Sequence, residues 1–86
     1  MHAAELLDEA VAVAEKLGYG IRQEWLGGQG GGSCEISGRK WIFIDLALSV
    51  TEQLDQLAEA LKSDPGMYTL AISQPLMRTL GLRRSA

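Results

Sequence analysis

The segment that most constrains this chain is residues 40–46, Lys-Trp-Ile-Phe-Ile-Asp-Leu, which has the most apolar strand pattern in the sequence. Side chains alternate between the two faces of a strand. One face carries Trp41 and Phe43, and the other carries Ile42, Ile44 and Leu46. Both faces therefore need a cover. Helices can cover one face, and the other requires the C-terminal segment or a second copy of the protein.

A helix is predicted directly after this strand. Ser49 and Glu52 have the Ser-x-x-Glu spacing of a capping box, in which each side chain accepts a hydrogen bond from a backbone N–H at the helix start. Apolar residues then recur at helical spacing up to Leu61. Residues 64–66, Asp-Pro-Gly, end the helix because proline cannot continue the ladder and disfavours helix in the residue before it.

Two more helices are predicted near the ends of the chain. Residues 3–17 have apolar positions at helical spacing, and Gly18 follows where a left-handed cap is favoured. Ser73 is placed to cap a short helix over residues 74–80. Residues 67–72 are ambiguous between a short strand and an extended connector. Past residue 82 we expect a frayed tail.

Two strands are predicted before the apolar one. Residues 19–26 alternate between apolar and polar, and residues 34–36 alternate again. Between them, residues 27–32 hold five glycines in six positions, for which we expect a mobile loop. A tight turn is expected at residues 38–39. Because these connections are short, the three strands are predicted to form an antiparallel meander.

The sequence therefore predicts one α+β domain over residues 1–86, in the order helix, three-stranded antiparallel meander, helix and short C-terminal helix. The two long helices should cover one face of the sheet. A chain of 86 residues has room for a single core, and 47% hydrophobic with 22% charged residues is typical of a folded protein.

Charge and composition limit the classes of partner that this protein is expected to bind. The net charge of −3 gives no generic attraction to a polyanion, whose binding depends on clustered Lys and Arg. Arg78, Arg83 and Arg84 lie near the C-terminus, but docking onto the acidic first helix or simple solvation explains them as well. We expect neither nucleic acid nor membrane as a partner. With one cysteine and no signal-peptide pattern, a cytoplasmic protein is expected.

The glycine-rich segment is the most unusual stretch. A phosphate-binding loop leads into a helix start, with a lysine in the P-loop form. Here the loop leads into a strand, and no Gly-Lys-Ser/Thr follows. A plain hairpin connection is the leading interpretation, and a mobile lid or partner-contact loop is the alternative.

Candidate chemical groups are sparse. Cys34 would need a neighbouring base or cation to be a nucleophile, and the one histidine is His2, near the start of the chain. We therefore predict that Cys34 is a small hydrophobic residue that faces inward. One Cys and one His cannot fill a structural zinc site. Glu52, Asp55 and Glu59 share an outer helix face, which is typical of solvated acids. We predict no catalytic residue, no metal and no cofactor.

Tryptophans at strand spacing are usually core residues, but exposed ones mark interfaces. Because the apolar strand has two apolar faces, Trp41 or its neighbours are candidates for a subunit interface. The full set of candidate interface or ligand contacts is Trp25, Gln29, Cys34, Arg39, Trp41 and Asp45.

Residues 30–45, Gly-Gly-Gly-Ser-Cys-Glu-Ile-Ser-Gly-Arg-Lys-Trp-Ile-Phe-Ile-Asp, resemble a family of small uncharacterised bacterial proteins. In that family a helix is followed by a glycine-rich hairpin, a Cys-containing strand, a Gly-Arg/Lys turn, an apolar strand ending in Asp, and a second helix. The resemblance covers most of residues 3–80. It implies the fold and no activity.

A fainter resemblance is to the strand-to-helix passage of HExxH metallopeptidases, carried by residues 57–62, Leu-Ala-Glu-Ala-Leu-Lys. The two zinc-binding histidines of those enzymes would stand at Ala58 and Lys62, and only Glu59 matches. The resemblance extends to the scaffold and implies no peptidase activity.

The leading functional hypothesis is a non-enzymatic binding or interaction module, as a homodimer or with a protein partner. The alternative is a small enzyme or ligand carrier, with a pocket near the glycine-rich loop and Cys34, Asp45 and Arg39 as its polar groups.

Overall fold

The computed structural model describes residues 2–29 and 31–82. Its elements follow in the order α1 (Ala3–Lys16), β1 (Gly20–Glu24), β2 (Gly32–Ile36), β3 (Arg39–Asp45), α2 (Val50–Leu61), a 3₁₀ helix (Pro65–Thr69) and α3 (Gln74–Leu80). The prediction of an α+β chain with a three-stranded sheet is confirmed within these residues. The tail beyond residue 82, with Arg83 and Arg84, lies outside them.

Local capping explains where the helices begin. The Ser49 hydroxyl accepts a hydrogen bond from the Glu52 N–H at 3.2 Å, and the Glu52 carboxylate accepts one from the Ser49 N–H at 3.0 Å. The bond from the Ser49 N–H, with the Ser49 side chain as a second contribution, holds the pKa of the Glu52 carboxyl below its usual value. At α3, the Ser73 hydroxyl accepts from the Leu76 N–H, as its sequence position predicts. Both caps confirm the expected helix starts.

The sheet is mixed, so the predicted antiparallel meander is wrong. Its strand order is β1-β3-β2, with β1 parallel and β2 antiparallel to β3. A meander would have placed the exposed β2 in the centre and the apolar β3 at an edge. The observed order puts β3 in the centre, which buries Ile42 and Ile44 completely.

The connection between β1 and β2 makes this order possible. It carries the chain across the C-terminal end of β3, from one side of that strand to the other. The backbone of Gly31 runs against the backbone of Phe43 so closely that a Cβ atom on residue 31 would lie 1.8 Å from the Phe43 carbonyl oxygen. Glycine is therefore required at this crossing, which is a physical reason for part of the glycine-rich sequence.

One hydrophobic core lies between the helices and one face of the sheet. Helices α1 and α2 pack on each other, α2 packs on β3 and α1 packs on β1. The buried apolar residues are Leu7, Ala10, Val13, Ala14, Ile42, Ile44, Leu54, Leu57, Ala58, Leu61, Met67, Leu76 and Leu80. The expectation that the two long helices cover one face of the sheet is confirmed.

The C-terminal part differs from the sequence-based expectation at one point. The ambiguous stretch after α2 is neither a strand nor wholly extended, because Pro65–Thr69 forms a 3₁₀ helix that buries Met67. Asp64 caps it by accepting a hydrogen bond from the Gly66 N–H at 2.8 Å. No helix in the described residues is both long and apolar enough to cross a membrane.

Candidate functional site

The face of the sheet opposite the helices has no cover among the described residues. Register defines its members, because directly paired residues of neighbouring strands point to the same side. We use the term open face for Arg22 of β1, Cys34 and Ile36 of β2, and Arg39, Trp41 and Phe43 of β3.

Trp41 is the centre of the open face. Its ring lies over Gly20 of β1, where a Cβ atom would approach the ring to 2.5 Å. The rings of Trp41 and Phe43 stack with centroids 6.5 Å apart, and the Arg39 guanidinium carbon lies 4.6 Å from the centroid of Trp41. Glycine on β1 thus leaves room for the indole, and the Arg39 guanidinium makes a cation–π contact with the same ring.

Charges at the border of this face are mixed. Arg22 and Glu24 form an exposed ion pair at 3.4 Å on β1. Together with Arg39 they give two cations and one anion beside two half-buried aromatic rings. Because the whole chain carries a net charge of −3, this side is more positive than the rest of the protein.

Two cavities flank the start of β2. The larger, of about 370 Å³, opens on the sheet side and is lined by Glu24, Leu26, Gly31, Gly32, Ser33, Cys34 and Phe43. The smaller, of about 250 Å³, lies toward α2 and is lined by Gly31, Gly32, Ser33, Gln56, Glu59 and Ala60. Both are shallow, and both border Gly32, where a side chain would meet no atom within 4 Å.

Asp45 has a structural position rather than a place in the cavities. It is fully buried at the end of β3. Its Oδ1 accepts hydrogen bonds from the Leu26 N–H at 3.0 Å and the Ala47 N–H at 2.9 Å. The carboxylate thereby holds the connection after β1 against the turn that leads into α2.

A second polar cluster, formed by Tyr19, Lys40 and Asp64, lies on the side of the sheet opposite the open face. The Asp64 carboxylate accepts a hydrogen bond from the Tyr19 hydroxyl at 2.9 Å and pairs with the Lys40 ammonium at 3.7 Å. The bond from the Gly66 N–H, reinforced by Tyr19 and Lys40, holds the Asp64 pKa below its usual value. Burial, and then Asp64, raises the pKa of Tyr19. The cluster fastens the 3₁₀ helix to the sheet.

The structure brings together three of the six candidate residues, since Cys34, Arg39 and Trp41 share the open face. Trp25 and Gln29 lie instead in the connection after β1, where Trp25 is 75% exposed because the strand ends one residue earlier. The expectation that Cys34 faces inward is wrong, because its strand lies at the edge of the sheet and Cys34 is exposed.

The acids on α2 have ordinary roles. Glu52 belongs to the capping box, and Glu59 pairs with Lys62 at 2.9 Å. Within residues 2–29 and 31–82, no three His, Cys, Asp or Glu side chains lie close enough together to hold a metal ion.

Sequence reasoning missed Arg22 and Ile36 as members of this surface, and it left Phe43 out of the candidate contacts. The alternation of β3 indicated that Phe43 shares a face with Trp41. Arg22 and Ile36 join that face only through the register of β1 and β2 on β3, which a single sequence does not give.

Comparisons of the chain with protein-family models, curated proteins and solved structures each returned no match. The resemblance to a family of small bacterial proteins therefore stays a prediction.

Proposed function

We propose that this protein is a non-enzymatic interaction module that binds a protein partner through its open face. The observation that carries the proposal is the face itself, an uncovered sheet surface with Trp41 and Phe43 stacked at its centre. Aromatic residues and arginine are the residue types enriched where proteins bind each other, and they are the ones that supply most of the binding energy.

The polar groups near the open face support a binding function over a catalytic one. Asp45 is buried on two backbone N–H groups, and Arg39 lies on the Trp41 ring. Each of these groups is thus held in a structural contact. A protein partner also suits the charges better than a polyanion does, because Glu24 neutralises Arg22 and the chain is acidic overall.

Selection from a phage-displayed library of random dodecapeptides on the immobilised protein tests the proposal. Peptides that bind the native protein should bind Phe43→Ser at least about tenfold more weakly, because truncating a central interface aromatic costs ~2 kcal/mol. Val50→Ser is the matched control, since Val50 is 40% exposed at the start of α2, away from the sheet. Circular dichroism establishes that both variants fold.

Two results would overturn this proposal. One is that selected peptides bind all three proteins equally, which would locate the binding surface elsewhere. The other is that no peptide is enriched while a pool of random single-stranded RNA binds and loses affinity in Phe43→Ser. The aromatic rings would then stack on bases instead of contacting protein side chains.

The cavity of about 370 Å³ beside Cys34 and Phe43 favours a second candidate function, a carrier of a small ligand. Native mass spectrometry of freshly purified protein tests it. A carrier should show a reproducible added mass, and Cys34→Trp should lose that mass because the indole would occupy the cavity. Bare chain mass for the native protein would remove this candidate.

A further inference from the structure

We infer that two copies of this chain join along the free edges of their β2 strands, antiparallel about a twofold axis at Cys34, to form one six-stranded sheet. This goes beyond the proposed function, because it uses the edge of the sheet and not its open face. The partner is a second copy of the same chain. Three features support this arrangement: the direction of the free backbone N–H and C=O groups, the fit of the side chains, and the placement of the Glu35 charges.

The outer edge of β2 is available and has little protection. Strand β2 pairs only with β3 within the described residues, and all five of its residues are exposed. Natural edge strands are commonly protected by charged side chains, above all lysine, by proline or by a bulge. Gly32–Ile36 contains one charge, Glu35, but neither lysine nor proline, and its register with β3 runs without interruption.

The hairpin turn fixes which backbone groups face outward. Ser37 and Gly38 have φ values of 52° and 79°, the left-handed pair of a type I′ turn. The residues that close such a turn, Ile36 and Arg39, exchange both backbone hydrogen bonds, and such pairs alternate along the ladder. Cys34 therefore bonds to β3, while the N–H and C=O groups of Ser33 and Glu35 point to the free edge.

A twofold axis at Cys34 uses all of these outward groups. Ser33 of each copy then lies opposite Glu35 of the other, which gives four N–H···O=C bonds across the junction. The two Cys34 residues face each other as a non-hydrogen-bonded pair, because their own backbone groups are engaged with β3. Such pairs have Cα atoms about 4.5 Å apart.

Side chains also fit this register better than a register centred on Glu35. Ile36, which is 51% exposed, lies opposite Gly32 of the second copy, where the absence of a side chain leaves room beside Phe43. The Ser33 hydroxyl faces the Glu35 carboxylate of the other copy and can donate to it. An axis at Glu35 would instead place two carboxylates directly opposite each other, which is unfavourable.

Cysteine cross-linking tests the register. With copper(II)–phenanthroline as oxidant, two Cys34 thiols release two protons to water, pass two electrons to copper(II) and form one disulfide. We expect the native protein to cross-link rapidly. Two single-cysteine variants, Ser33→Cys and Glu35→Cys, each in a Cys34→Ser background, should cross-link slowly alone and rapidly when mixed, because residue 33 faces residue 35. Equal rates for all samples would overturn the register.

Sedimentation velocity in reducing buffer tests the edge. Glu35→Pro removes an outward N–H without touching the β2–β3 ladder, and Glu35→Thr is its matched control because it also removes the carboxylate but keeps the N–H. The native protein and Glu35→Thr should sediment at twice the chain mass of 9.3 kDa, and Glu35→Pro as a folded monomer. A native monomer, or a Glu35→Pro dimer, would overturn the inference.

Different variants test the open-face binding proposal and the β2-edge dimer, so one can be wrong while the other holds. Phe43→Ser changes the open face and leaves the backbone edge intact, so it should keep the dimer and lose the selected peptides. Glu35→Pro should lose the dimer and still bind peptides as a monomer. A protein that stays dimeric in Glu35→Pro but becomes monomeric in Phe43→Ser would show that the open face joins the copies, which would overturn the edge inference.

Discussion

Asp45 shows how a single buried carboxylate can determine the path of a chain. Its Oδ1 accepts hydrogen bonds from the backbone N–H groups of Leu26, in the connection after β1, and Ala47, in the turn after β3. Those two segments lead into β2 and α2. The acid at the end of the apolar strand, which the sequence presents as a candidate site residue, is therefore explained by the connections it fastens.

Replacing Asp45 with alanine should lower the free energy of unfolding by about 2 kcal/mol or more, because two N–H groups would lose their acceptor in a buried place. Asp45→Asn keeps an acceptor oxygen there and should lose less. Urea unfolding followed by circular dichroism measures both. Equal losses for the two variants would mean that the negative charge, and not the hydrogen bonds, is what stabilises this position.

Asp64 should make stability depend on acid pH. Its pKa is held below the usual value of 3.8 mainly by the Gly66 N–H, so folding favours the charged form. The stabilisation is complete well above pH 3.8 and is lost as pH falls through the lowered pKa. Asp64→Asn should flatten this loss in thermal melts between pH 6 and pH 2, and an equally steep loss in that variant would contradict the assignment to Asp64.

Tyr19, which donates a hydrogen bond to Asp64, should make the stability depend on alkaline pH. Burial and Asp64 raise the pKa of Tyr19 above 10, so folding favours the protonated hydroxyl. Its contribution is present below pH 10 and is lost as pH rises through the raised pKa. Tyr19→Phe removes the titrating group and should show a flatter alkaline limb than the native protein. A variant that loses stability as steeply as the native protein would contradict the assignment to Tyr19.

Among the elements, the β2–β3 hairpin has the most specific turn. Ser37 is the one non-glycine residue with positive φ in the described residues, at 52°, followed by Gly38 at 79°. Asparagine tolerates this conformation better than serine, and Asn-Gly is the preferred type I′ pair. Ser37→Asn should therefore raise the free energy of unfolding by about 0.5 kcal/mol, and Gly38→Ala should lower it by about 1 kcal/mol. Urea unfolding checks both signs, and a loss in Ser37→Asn would contradict the turn assignment.

The elements show what a single sequence can and cannot predict. Capping side chains act over three residues, so the starts of α2 and α3 were predicted at Ser49 and Ser73. Strand order depends on pairing between distant segments, and the short connections suggested the wrong order. The needed signal was the second apolar face of β3, because a strand that requires cover on both faces belongs in the centre of a sheet.

The candidate site also combines features that a single sequence predicts with features that it does not. Trp41 and Phe43 share a strand, so alternation alone placed them together. Cys34 was predicted to face inward because a small apolar side chain on a strand usually does, and its exposure follows from the edge position of β2. Trp25 stands outside β1 because that strand ends at Glu24, and the boundary of a strand is poorly defined by local pattern.

At the scale of the whole molecule, the protein is thin. Its Cα atoms extend over 41 × 32 × 16 Å, and the shortest dimension accommodates one layer of helices and one sheet. A two-layer domain leaves one sheet face without a helical cover. Joining two copies along β2 would double the area of that face and make it continuous.

Such a dimer would make the stability of the protein depend on its concentration. Association stabilises the folded state by mass action, so a hundredfold rise in total protein adds ~2.7 kcal/mol to the unfolding of the dimer. With about 1 kcal/mol/M of urea dependence for each chain, or about 2 kcal/mol/M for the dimer, the urea midpoint should rise by about 1.4 M. Native protein and Glu35→Thr should show this rise. Glu35→Pro should have the same midpoint at both concentrations, and a rise in that variant equal to the native one would show that the association does not run through the β2 edge.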